Sequence, residues 1–67
     1  MIRINVNEIP LDIEDNNTIT QLLEAINAPL NGIAIAINSA IVSKNEWNTH
    51  LIKPNDHILI IQATQGG

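Results

Sequence analysis

The chain has 67 residues, carries three Lys+Arg against seven Asp+Glu, and contains no cysteine. That length fits one small domain, the missing cysteines exclude disulfide staples and Cys-ligated zinc, and the acidic balance argues against nucleic acid, which needs clustered basic side chains. No apolar run reaches the roughly 18–20 residues that span a bilayer, so no membrane association is expected and a cytoplasmic location is the default.

The core must come from aliphatic side chains. There are 14 isoleucines, one tryptophan, and neither Phe nor Tyr. β-Branched residues at this density favour strands. Ile2, Ile4 and Val6 alternate with Arg3 and Asn5, which predicts a half-buried strand rather than a signal peptide. Asn7-Glu8 reads as a tight turn, with Glu where glycine is usual. Ile9, Leu11 and Ile13 alternate with Pro10, Asp12 and Glu14, giving a second strand and a hairpin. Pro10 cannot donate to a ladder, so this strand belongs at an edge or keeps its proline on the free side.

After the polar loop 14–17, Thr18 and Gln21 have capping-box spacing. Ile19, Leu22, Leu23 and Ile26 then share one helical face, and Asn27, Pro29 and Gly32 end the helix. Ile33–Ile37 is a third strand with isoleucines on one face and alanines on the other. Asn38-Ser39 turns it into a short strand, Ala40-Ile41-Val42. Ser43 and Glu46 repeat the capping-box spacing, which predicts one helical turn over Lys44–Trp47. Pro54-Asn55-Asp56 is a turn cluster. In the last strand, His57–Gln62, the run Ile58-Leu59-Ile60-Ile61 is apolar on both faces, as a central, parallel strand requires.

The order β-β-α-β-β-β specifies an α+β protein of β-grasp plan. One mixed sheet packs on one helix, with residues 1–62 as the domain and 63–67 as a flexible tail. One helix covers one sheet face. The other is either covered by loops or left with an apolar patch for a partner, Leu59 and Ile61 being the candidates.

An internal active site is not legible. Ser39 and Ser43 lack a partner base, and His50 and His57 belong to no nucleophile motif. No metal motif or glycine-rich phosphate loop is present, and so small a domain struggles to enclose a ligand pocket, so no catalytic residue, metal or bound cofactor is expected. Trp47 has two readings: an anchor for a partner, or a plug pinning its turn to the core, the commoner use of such a residue. Lys44 and Lys53 are surface charge or conjugation sites. That leaves the end of the sequence, Gly66-Gly67. Two terminal glycines arise by chance in about 0.5% of chains at a usage of ~7% each, so the pair gains weight only from its place after a central strand. The logic is specific. A terminal carboxylate is chemically unique. Glycines without side chains can thread a narrow channel in another enzyme, here Gly66 with Gln65 behind it. The carboxylate becomes an electrophile once AMP is transferred to it, and a sulfur donor can then leave a thiocarboxylate on Gly67.

Three segments carry a family resemblance. Ile35-Ala36-Ile37-Asn38 with Ile41-Val42 and Trp47 resembles the "ALAIN-x-x-IVPR-x-x-W" region of the thiamine-pathway sulfur carriers, the ThiS family. Pro54-Asn55-Asp56-His57-Ile58 through Gln62 to Gly66-Gly67 resembles that family's "DGD-x-I" ending in "GG", and Thr18 with Leu22-Leu23 fits its "T-x-x-x-LL". Ser43-Lys44 departs from the usual Pro-Arg, and Asn55 from a common Gly. The resemblance covers nearly the whole chain. It implies a protein co-substrate rather than an enzyme, in the wider ubiquitin-like and MoaD-like superfamily. A ThiF-like adenylating enzyme would use ATP on Gly67, a sulfur donor system would convert it, and a ThiG-like thiazole synthase would take the sulfur. The candidate partner-docking residues are Leu59 and Ile61 on the open face, Trp47, and Lys44, which stands where the sequence departs from the family. Three alternatives share the fold: a molybdopterin-pathway sulfur carrier, a ubiquitin-like modifier that joins lysines, and a β-grasp interaction module. The stretch from Asn38 to Trp47 and the short length favour the thiamine reading.

Overall fold

In a computed structural model, residues 1–62 are described. Strands β1 (Ile2–Val6) and β2 (Ile9–Ile13) form the first hairpin, and helix α1 (Ile19–Ala25) follows. Strands β3 (Ile33–Ile37) and β4 (Ala40–Val42) form the second hairpin, a 3-10 turn covers Lys44–Glu46, and β5 spans His57–Gln62. The sheet order is β2-β1-β5-β3-β4. β5 is central, parallel to β1 and antiparallel to β3, so its double-sided apolar run serves a mixed rather than a purely parallel setting. β2 lies at an edge, where Pro10 opposes Asn5 and needs no outer partner.

Both hairpin turns place two consecutive residues at positive φ: Asn7 (51°) with Glu8 (69°), and Asn38 (52°) with Ser39 (75°). This twist suits two-residue hairpins. Asn leads each turn because it tolerates the left-handed region better than most side chains.

Helix α1 is short, so its ends matter. Thr18 accepts from the Gln21 backbone N–H, and the Gln21 side chain accepts from the Thr18 N–H at 2.8 Å, which completes the capping box. The next free amides, of Ile19 and Thr20, donate to the carbonyls of His50 and Trp47, docking the helix start on the 47–52 loop. At the other end Asn27 sits at φ 59°, while its amide reaches Glu24 O and that of Ala28 reaches Leu23 O. This is a Schellman closure with asparagine in the glycine position.

The expected helical face holds: Ile19, Leu22 and Leu23 are fully buried, with Ile26 packed at the margin. They meet Ile4, Ile13, Ile35, Ile37, Val42 and Ile58 from one sheet face. The second capping box does not form. Ser43 makes no side-chain cap, and the turn is 3-10, Lys44–Glu46, with Trp47 as its last cap. A three-residue turn held by backbone bonds leaves no helical dipole or ladder for a side chain to complete. No helix among the described residues is long and apolar enough to cross a membrane.

Candidate functional site: the open sheet face and the end of β5

The register decides which side chains lie opposite the helix. Ala34 pairs with Ile61, and Ala36 with Leu59 on one side and Ile41 on the other. Side chains alternate along a strand, so these five share the face away from α1. Leu59 is 48% exposed, Ile61 43% and Ile41 68%. The alanines between them are small enough to leave the aliphatics standing as a ridge, and Ala36 itself is buried among its neighbours. Toward β1 and β2 the same face turns polar, with His57 opposite Asn5 and Arg3 opposite Asp12.

Arg3 and Asp12 form a two-point pair, Nε to Oδ1 at 2.8 Å and Nη2 to Oδ2 at 3.2 Å. The Arg3 hydrogen bonds hold the Asp12 carboxyl below its ordinary range. Both groups are exposed, so the pair adds orientation and charge rather than much stability.

The start of β5 is clamped. Asn38 Nδ2 donates to Asp56 Oδ1 at 3.0 Å, and Asn38 Oδ1 accepts from the His57 N–H at 3.0 Å. Asp56 Oδ2 accepts from the Lys53 N–H at 2.9 Å. Further along, the Ile60 N–H donates to Asn7 Oδ1 at 2.8 Å. Side chains of both hairpin turns thus fasten the strand that presents Leu59 and Ile61. A surface used for docking gains from such pre-organisation, because less ordering remains to be done on binding.

The sequence-derived site residues separate into three groups. Leu59 and Ile61 stand together on the open face. Trp47 does not join them: it is 3% exposed, and its Nε1–H donates to Val42 O at 3.0 Å, so it is a core plug and not a docking anchor. Lys44 is exposed, and its Nζ donates to Asn31 Oδ1 on the loop before β3. Gln65, Gly66 and Gly67, with the whole 63–67 tail, lie outside the described residues. Ile41 was not singled out by sequence reasoning. Alternation in Ala40-Ile41-Val42 could have found it, since Val42 faces the core and Ile41 must face away. Among the described residues no three His, Asp or Glu side chains gather as a metal site.

A mixed five-stranded sheet gripping one helix, with a two-residue hairpin at each flank, defines a β-grasp protein of the ubiquitin-like class. The profile of the ThiS family matches residues 2–67. The chain is similar to the sulfur carrier protein ThiS of Escherichia coli (strain K12), 32% identical over 66 residues, which are 98% of this chain and 100% of that one. The crystal structure of the thiamine biosynthesis protein (ThiS) from Geobacter metallireducens superposes with a TM-score of 0.87 at 19% identity, covering 98% of this chain and 100% of that one. Its solution structure gives 0.77 at 20% identity, covering 98% and 88%. At that identity the two structures speak for the fold. The chain belongs to the ThiS family, the sulfur carrier proteins of thiamine biosynthesis.

Proposed function

We propose that Gly67 is the residue on which this chain carries sulfur, and that the open face of the sheet is where its enzymes hold it. One observation carries the reading: the family match runs from residue 2 through Gly66-Gly67. The geometry supports it. β5 presents Leu59 and Ile61 on the uncovered face and ends at Gln62, five residues before Gly67. A partner seated on the ridge is therefore within reach of the terminus, since each extended residue spans about 3.3 Å.

The chemistry balances without any group from this chain except the carboxylate. A Gly67 carboxylate oxygen attacks the α-phosphorus of ATP, and pyrophosphate leaves. The resulting acyl-adenylate is an electrophile, which the free carboxylate, an anion at neutral pH, is not. A sulfur nucleophile adds to the carbonyl carbon and AMP departs, leaving the thiocarboxylate that a thiazole synthase consumes. Gly66 and Gln65 pass through the partner's channel. ATP is the partner's substrate, and this chain holds no cofactor in the scheme. Action in the cytoplasm follows from dependence on an ATP-using, ThiF-like enzyme.

The adenylation half is tested by ATP–pyrophosphate exchange with the ThiF-like enzyme from the same genome. Exchange dependent on this protein, and lost on deleting Gly67, supports the reading. Exchange that persists without Gly67 sinks it. Sulfur transfer to a ThiG-like synthase but not to a molybdopterin synthase supports the thiamine assignment, and the reverse contradicts it.

A further inference from the structure

The loop between α1 and β3 contains the sequence's single Asn-Gly pair, Asn31-Gly32, among ten asparagines. Both residues are exposed. Gly32 sits at φ 77°, and a Cβ built on it would meet nothing within 4 Å among the described residues outside its two chain neighbours. That N–H has no hydrogen-bond acceptor among the described residues. Across the loop, Lys44 Nζ donates to Asn31 Oδ1.

From this geometry we propose that Asn31 is a self-modification site, at which the chain's own backbone converts an amide to a carboxylate with Lys44 assisting. The Gly32 nitrogen loses its proton to solvent base and forms a bond to Asn31 Cγ. Negative charge gathers on Oδ1 as the carbon becomes tetrahedral, and the Lys44 ammonium already donates to that atom. The Cγ–Nδ2 bond breaks as Nδ2 takes back a proton from the solvent acid, and ammonia leaves. Water then opens the five-membered imide at either carbonyl, giving aspartate or isoaspartate. No electron is gained or lost. A side chain on residue 32 would crowd the attacking nitrogen, which is why glycine matters here. The product carboxylate stays beside Lys44, and the isoaspartate form lengthens the backbone just before β3 begins at Ile33.

Asn38-Ser39 provides the internal contrast. It too has a small following residue, but its side chain is fixed at both ends, to Asp56 and to the His57 N–H. Its Cγ cannot swing toward the next amide without breaking two bonds.

The test is timed incubation of the folded protein at neutral and mildly alkaline pH. Fragment-ion peptide mapping and isoaspartyl methyltransferase labelling then locate the product. Asn31 should convert first, faster at the higher pH, and at least about tenfold ahead of Asn38, the equivalent of ~1.4 kcal/mol in barrier. Gly32→Ala should slow it by about tenfold or more, and Lys44→Gln by about threefold, worth ~0.6 kcal/mol in barrier. Because Gly32→Ala strains the loop at its positive φ, Asn31→Gln is the second variant. Its longer side chain disfavours the five-membered imide, so label at position 31 should vanish while the circular dichroism stays unchanged. Conversion led by another asparagine, or a rate at Asn31 indifferent to Gly32→Ala, overturns the site. A rate unchanged or raised by Lys44→Gln overturns the role given to Lys44.

Discussion

Replacing Asn38 with alanine attacks the clamp that holds the start of β5. The two side-chain bonds of Asn38, to Asp56 Oδ1 and from the His57 N–H, are both 3.0 Å long. Each contributes about 1 kcal/mol net. Alanine at φ 52° adds about 1 kcal/mol, because it lacks the local hydrogen bonds with which asparagine offsets the left-handed region. Asp56, only 8% exposed, keeps its bond from Lys53 on Oδ2 but loses its partner on Oδ1. The sum is about 3 kcal/mol. A chain of 67 residues has a total stability of roughly 3–10 kcal/mol, so the variant should be near the edge of folding. At ~4–8 °C per kcal/mol for so small a domain, Tm should fall by about 12–24 °C. Trp47 is the sole aromatic residue, so urea unfolding followed by its fluorescence reports one buried site without interference. A double-mutant cycle with Asp56→Ala isolates the Asn38–Asp56 contact and should give a coupling of about 1 kcal/mol. A loss below ~1 kcal/mol for Asn38→Ala, or a coupling of zero, would refute the claim that this clamp fastens β5.

Trp47→Phe should cost about 1–2 kcal/mol, measured by circular dichroism in urea, because Val42 O loses the indole N–H while most of the ring volume remains; a neutral result would show the bond to be idle. Arg3→Gln should raise the Asp12 titration midpoint toward the ordinary carboxylate range by NMR, since Arg3 is what lowers it. The sign follows: the pair's contribution is present above the unfolded carboxylate pKa and fades as pH falls through the lowered folded value. An unmoved midpoint would refute the assignment. Leu59→Ser with Ile61→Ser should lower stability by about 1.5–3 kcal/mol, because both side chains are about half buried, and in the still-folded protein should weaken capture by an adenylating enzyme by about tenfold in KM. Unchanged KM would remove the ridge from the docking account.

What was legible in the sequence was local. The Ile2–Ile13 hairpin, the Thr18–Gln21 cap and the Ile19-Leu22-Leu23 stripe each depend on neighbours a few positions away, and each stands in the structure. What was illegible depends on distant partners. Trp47 could have faced either way until the Val42 carbonyl claimed its N–H. Ser43 and Glu46 had the spacing of a cap without a helix long enough to need one. Asn38 read as a turn former; its second task, bonding to Asp56 and His57, joins residues 18 and 19 positions apart. The open ridge was half legible. Leu59 and Ile61 followed from a central strand with apolar residues on both faces, whereas Ile41 needed the register with Ala36.

The central claim is that Gly67 carries the sulfur, and intact mass tests it most directly. The protein is incubated with its adenylating enzyme, ATP and a sulfur donor, and its C-terminal peptide is then sequenced by fragmentation. The account predicts replacement of one oxygen by one sulfur, confined to Gly67, dependent on ATP and absent when Gly67 is deleted. An unmodified terminus with the active cognate enzyme, or sulfur found on any other residue, would contradict it.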